Sequence, residues 1–234
     1  MALPTDPAQS FVREVDENLR RDQAQEFLRK YGPWIAGAAL LFLAAVAGWI
    51  YWQGRQAEQA EAQTAQLSAI MTGIGAGQTA NANRQLEPLT QADADGVRAA
   101  ARLTRAAVAL EKADRKSAAA EYRAVLDDKG LDQPYRDLAA IRLTALEFDQ
   151  MKPEEVIARL APLAEAGNPW FGSAGELTAM AMLKQGRKSE AGRLFAAIAA
   201  DNQVPGSIRS RAVQIAGTLG IDASASLPNA AQQD

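Results

Sequence analysis

Trp34 to Trp52 reads WIAGAALLFLAAVAGWIYW, nineteen residues without a charge. At 1.5 Å per residue a helix of this length covers about 28 Å, close to the roughly 30 Å hydrocarbon core of a bilayer. Trp34 stands at one end and Trp49, Tyr51 and Trp52 at the other. Amphipathic rings form such a belt at the two water interfaces. The core helix of a small soluble domain carries a polar face, and this run has none. Ala45-Val46-Ala47 resembles a signal cleavage site, but 33 residues with six acids precede the run, unlike a short basic leader. The reading is a single transmembrane helix over 34–52.

Lysines and arginines near the ends of the span set its direction. Arg13, Arg20, Arg21, Arg29 and Lys30 lie before it, with Arg29 and Lys30 at its edge. After it comes Arg55, then none until Arg84. The N-terminus is therefore expected in the cytoplasm and the remainder outside it. In a bacterium this is a single-pass inner-membrane protein with a periplasmic C-terminal domain. Residues 1–33 read as a cytoplasmic helix that starts at Asp6-Pro7, carries a weak stripe of Val12, Val15, Leu19 and Phe27, and ends at Gly32-Pro33.

Composition narrows the rest. Of 234 residues 51 are Ala, and β-branched and aromatic residues are few, which favours closely packed helices over sheets. The chain has no Cys and no His, so thiolate and imidazole metal sites, Cys nucleophiles and Ser-His triads are excluded. A net charge of -3 gives no electrostatic case for nucleic acid. The carboxylate pairs Asp127-Asp128 and Glu154-Glu155 are sequence neighbours, which a helix turns about 100° apart, so neither is a facing acid/base pair. Gly73, Gly75 and Gly77 lack the Lys-Ser/Thr of a phosphate loop. No catalytic residue, metal, cofactor or small-molecule substrate is expected, and the chain is not read as an enzyme.

Residues 53–83 read as a helical stalk followed by a loop, GIGAGQTANAN at 73–83. From 84 to 219 helical periodicity is broken at Gly130, Pro134, Pro153, Gly167-Asn168-Pro169, Gly186 and Pro205-Gly206. Asp132 ahead of Pro134 and Asn168 ahead of Pro169 look like helix starts. Arg102-Leu103-Thr104 recurs as Arg142-Leu143-Thr144 and Glu176-Leu177-Thr178, at spacings of 40 and 34. Lys112 to Ser117 returns as Lys184 to Ser189, 72 residues on. Small-x-x-x-large steps follow the turns, at Ala118 and Tyr122 and at Ala191 and Phe195, with Val156 and Leu160 a bulkier version. Three helix pairs and a closing helix, Val204 to Leu219, are predicted. Residues 220–234, rich in Ser, Ala, Asn and Gln, read as a disordered tail. The fold class is all-α: one membrane helix, then a short right-handed solenoid of divergent tetratricopeptide-like helix pairs.

Phe27-Leu28-Arg29-Lys30-Tyr31-Gly32 leads into a span ending Gly48-Trp49-Ile50-Tyr51-Trp52-Gln53, and the repeats end in Gly186-Arg187-Lys188-Ser189-Glu190-Ala191. With these features residues 10–219 resemble the ancillary SecYEG translocon subunit family, of the tetratricopeptide repeat-like class. The resemblance implies association with the Sec translocon and with a periplasmic chaperone/prolyl isomerase, and no catalytic residues. The function expected is a binding module that tethers a chaperone or an emerging secreted chain. The alternative is a scaffold for another envelope machine, such as cytochrome maturation or cell division.

Candidate partner-binding residues follow from the repeats. Arg98, Arg102 and Arg105, spaced by 4 and 3, make one stripe on a first helix. Arg142 and Met180 lie on the later first helices. Tyr135, Trp170 and Phe171 stand at helix starts, as partner anchors or as plugs between repeats.

Overall fold

In a computed structural model, residues 7–226 are described, with side chains from Arg29 onward apart from Ile35 and Ala39. Every regular element among the described residues is helical. The first helix, α1, runs from Pro7 to Gly75 with Pro33 inside it. Gly32-Pro33 was expected to end a first helix, and it does not. Proline removes one backbone donor and its ring crowds the Cβ of the residue before it. Gly32 has no Cβ, so the chain continues through with one hydrogen bond missing. The stripe of Val12, Val15, Leu19 and Phe27, and the expected tail from 227 onward, lie outside the residues whose side chains are described.

Two compact units divide between Gln59 and Ala60. In the first, Leu40, Leu41, Phe42 and Leu43 in the apolar run of α1 are all exposed. A helix long and apolar enough to cross a membrane is present there.

The second unit is a stack of helix pairs. α2 (Ala82–Leu86) and a 3-10 turn (Pro88–Gln91) precede α3 (Asp95–Glu111), which pairs with α4 (Arg115–Asp127). α5 (Gln133–Glu147) is followed by α6 (Pro153–Leu160), and α7 (Phe171–Lys184) pairs with α8 (Lys188–Ala200). α9 (Gly206–Thr218) closes the stack against α7 and α8. Stacking buries one apolar face of each pair on the next, the only way so short a unit can hide it.

Burial fixes the repeat register. Ala118, Val156 and Ala191, 38 and 35 residues apart, are all buried, and so are Tyr122, Leu160 and Phe195 at the same spacings. Ala101, Ala139 and Ala174 keep this register on the first helices, as do Ala106, Thr144 and Ala179. The triplets at 102, 142 and 176 are therefore not equivalent positions. Nor is the spacing of 72 between the turns; the structure makes it 73. Gly186, with φ 75°, matches Ala113, with φ 57°, and both turns close by the same bonds. Asp114 N–H donates to the Ala109 carbonyl at 2.8 Å, and Arg187 N–H to the Met182 carbonyl at 3.0 Å. Alanine in the left-handed region costs about 1 kcal/mol and glycine nearly nothing. Ala113→Gly is expected to raise the melting temperature by about 3 °C, measured by circular dichroism in detergent.

Three boundaries differ from the sequence reading. The end of α1 is not a free stalk: Leu67, Ile70 and Ile74 pack with Leu86, Leu89 and Val97. The end of α1 and α2 thus cover α3, whose apolar face would otherwise meet water. The segment after Gly220 is not wholly a tail, since Ala223 is buried and Ile221 packs on the last helices. A Cβ on Gly192 would stand 2.8 Å from Ile221 Cδ1, which is why glycine sits there. Asn168 does not cap α7, which starts at Phe171. It forms a local turn instead, accepting from Trp170 N–H at 2.9 Å and donating to the Pro162 carbonyl at 3.1 Å.

Candidate functional site

Two surfaces carry the sequence-derived candidates. On the apolar helix, Trp34, Trp49, Tyr51 and Trp52 are all exposed. The Trp49 and Trp52 rings stand 5.8 Å apart, and Arg55 donates to Tyr51 Oη at 3.1 and 3.2 Å. This aromatic cluster with one snorkelling arginine is suited to a lipid headgroup layer. Arg29 and Lys30, both exposed, lie at the other end, where Lys30 Nζ is 5.6 Å from the Tyr31 ring.

The repeat domain disposes of its arginine stripe internally. Arg98 Nη2 meets Asp95 at 2.7 Å, its Nε meets Asp128 at 3.0 Å, and Nη1 donates to the Ala92 carbonyl at 2.7 Å. Arg105 pairs with Glu87, and its Nε with Glu121 at 3.1 Å; Arg102 approaches the same Glu121 at 3.6 Å. The stripe therefore ties α3 to α4 and to the segment before it, and presents no open row of cations. Spacing on one helix gives the row and its i,i+3 partner Asp95; the other acids, Glu87 before α3, Glu121 on α4 and Asp128 just after it, are brought there by the tertiary fold, so sequence alone does not pair them. Glu121→Ala leaves the half-buried Arg102 guanidinium without a carboxylate and Arg105 with Glu87 alone, and a loss of about 2 kcal/mol is expected in thermal unfolding.

Asp128 adds a pH dependence. Desolvation pushes its carboxyl up, but hydrogen bonds from Arg98 and from Gly130 N–H outweigh this and hold it below the usual range. A depressed carboxyl stabilises the fold above its unfolded value of about 3.9, and this is lost as pH falls through the folded value. Asp128→Asn is expected to lower the melting temperature at pH 7, with the difference from wild type shrinking as pH is taken below about 4.

The aromatic candidates plug joints. Phe171 is buried in one cluster with Phe195 and Val204, and Trp170 packs against the cluster that holds Val156, Leu160 and Leu163. Tyr135 packs on Val125 and Leu131. Val97, Tyr135 and Trp170 share one repeat position, each packed on the preceding pair. Met180 is exposed on α7.

Arg142 is placed differently. It is exposed on α5 beside a groove of about 390 Å³ lined by Leu103, Ala107, Leu110, Glu111, Tyr122 and Leu138. The sequence does not reveal this groove as a unit, because α3, α4 and α5 each contribute to it. Its residues are far apart in sequence and gather only when the pairs stack.

The family described as tetratricopeptide repeat-like domain matches residues 25–215, which takes in the apolar run as well as the repeats. The chain is similar to the ancillary SecYEG translocon subunit of Haemophilus influenzae, 26% identical over 147 residues, covering 62% of this chain and 71% of that protein. No solved structure matches.

Proposed function

The chain belongs to the tetratricopeptide repeat-like domain family, and on that premise we propose that it is a non-catalytic binding module, anchored by one membrane helix and associated with a Sec translocon. The similarity to an ancillary SecYEG translocon subunit carries this reading. It falls on a chain whose described residues hold one exposed apolar helix and a stack of helix pairs. The repeats face the periplasm and hold a chaperone/prolyl isomerase, or an emerging secreted segment, beside the translocon. Tethering does the work: confinement raises the local concentration of the partner without new chemistry.

Absence of cysteine makes the direction of the span testable. Ser10→Cys and Ser189→Cys each introduce the only thiol of the chain. In spheroplasts a membrane-impermeant maleimide is expected to label position 189 and spare position 10; the reverse pattern contradicts the proposed topology. For tethering, residues 1–52 are replaced by a cleaved export signal, which frees the same domain in the periplasm. At equal abundance the free domain is expected to fail in restoring secretion to a strain lacking the protein. Full restoration would sink the tethering mechanism.

A further inference from the structure

We propose that the hollow between α4 and the end of α5 is an anion site for a phosphate group, held by Arg115, Lys116 and Arg123. A phospholipid headgroup and free phosphate both present that group. The site stands independently of the Sec association.

Three joints, where a second helix meets the end of the next first helix, differ at equivalent positions. The turn after α7 recurs 34 residues on, after α9: Gly220 has φ 81°, and Ile221 N–H donates to the Ala216 carbonyl at 3.0 Å. Together with the register of the buried small residues, this aligns the joints. Gln150 corresponds to Gln185 and Leu219, and Ala119 to Ile157 and Gly192. A polar bond closes the second joint: Gln185 Nε2 donates to Glu154 at 2.7 Å. Apolar side chains fill the third, where a Cβ on Gly192 would stand 3.3 Å from Leu219 Cβ and 2.8 Å from Ile221 Cδ1. The first joint is left open, as a hollow of about 330 Å³ lined by Arg115, Lys116, Ala119, Arg123, Glu147 and Gln150, with Leu146 beside them.

Cations converge on this joint and not on its counterparts. In the second joint Pro153, Glu154 and Ala161 stand where Arg115, Lys116 and Arg123 stand here, and in the third Lys188, Ser189 and Ala196. Arg115 donates to the Leu146 carbonyl, which holds its guanidinium against the end of α5. Glu147 is the one acid among the lining residues, and it is already shared by Arg123 and by Arg159, the latter at 3.5 Å. Asp114 accepts from Ser117 N–H at 3.0 Å as the cap of α4. Even with Asp114 counted, positive charge is in excess around the opening. Two guanidinium forks and a mobile ammonium suit an oxyanion with several acceptor oxygens, which a phosphate supplies and one carboxylate does not.

Absence of cysteine makes occupancy readable in the full chain. Gln150→Cys places the only thiol on the rim of the hollow, and neutral N-ethylmaleimide reports its access. The chain is held in nanodiscs of phosphatidylcholine, alone or mixed with phosphatidylglycerol. Inorganic phosphate is added to the neutral discs, against sodium chloride of equal ionic strength. At saturation labelling is expected to slow about fivefold. Slowing by inorganic phosphate in neutral discs assigns a soluble ligand; slowing by phosphatidylglycerol alone assigns the headgroup. Arg115→Gln with Lys116→Gln abolishes the effect. Lys116→Gln alone, which leaves the Arg115 contact with Leu146 in place, weakens it. Lys188→Gln with Arg193→Gln, the same charge change on α8, leaves it intact. The proposal is overturned if neither source slows labelling or if the Arg115/Lys116 variant keeps the effect. It is equally overturned if a thiol at the third joint, Ser189→Cys, is slowed as much.

Discussion

Replacing both Leu41 and Ala45 by arginine moves the chain out of the alkali-resistant membrane fraction. The run from Trp34 to Trp52 holds seven large aliphatic or Phe residues, and the rest is mainly alanine and glycine. Each large residue favours insertion by about 0.3–0.6 kcal/mol, so together they contribute about 3 kcal/mol. One arginine near the centre costs about 2.5–3.5 kcal/mol, and two exceed what the run supplies. Both sites are exposed on the helix, so no packing within the first unit is disturbed. Carbonate extraction of membranes is the measurement. The double variant appears in the supernatant and wild type in the pellet. If the double variant stays in the pellet, this run is not what holds the chain at the membrane.

Phe195→Ala carries the second large effect. Phe195 is fully buried among Phe171, Ala179, Ala191, Ile198 and Val204. Truncating such a side chain removes its transfer energy and leaves a cavity, about 4 kcal/mol together. At about 3 °C per kcal/mol for a unit of this size, the melting temperature falls by about 12 °C. Its small partner is equally constrained: Ala191→Leu overfills the same joint. Tyr122 and Leu160 hold the equivalent positions, so the effect should recur in kind along the stack. A shift below about 3 °C for Phe195→Ala would mean that α8 is not docked as described.

The small-x-x-x-large steps were legible because close helix packing needs a small residue beside a large one. That rule selected Ala118, Tyr122, Val156, Leu160, Ala191 and Phe195, and all are buried. The Arg-Leu-Thr triplets misled because identity of letters is not identity of burial. Thr144 is fully buried and donates to the Ala140 carbonyl at 2.7 Å, while Thr104 is half-buried. Glycine signals worked where the backbone needs a positive φ, at Gly167 and Gly186. They could not reveal Ala113, which adopts the same backbone without the expected residue. The arginine stripe was visible and its partners were not, since Glu87, Glu121 and Asp128 reach it only through the tertiary fold. The groove at Arg142 was hidden for the same reason.

The proposed Sec association is tested most directly by extracting the full-length chain from native membranes in mild detergent and identifying what co-purifies. The account predicts translocon subunits, together with a periplasmic chaperone, recovered with wild type and lost with the Leu41/Ala45 arginine variant. Recovery of cytochrome-maturation or division components with no translocon subunit would contradict it.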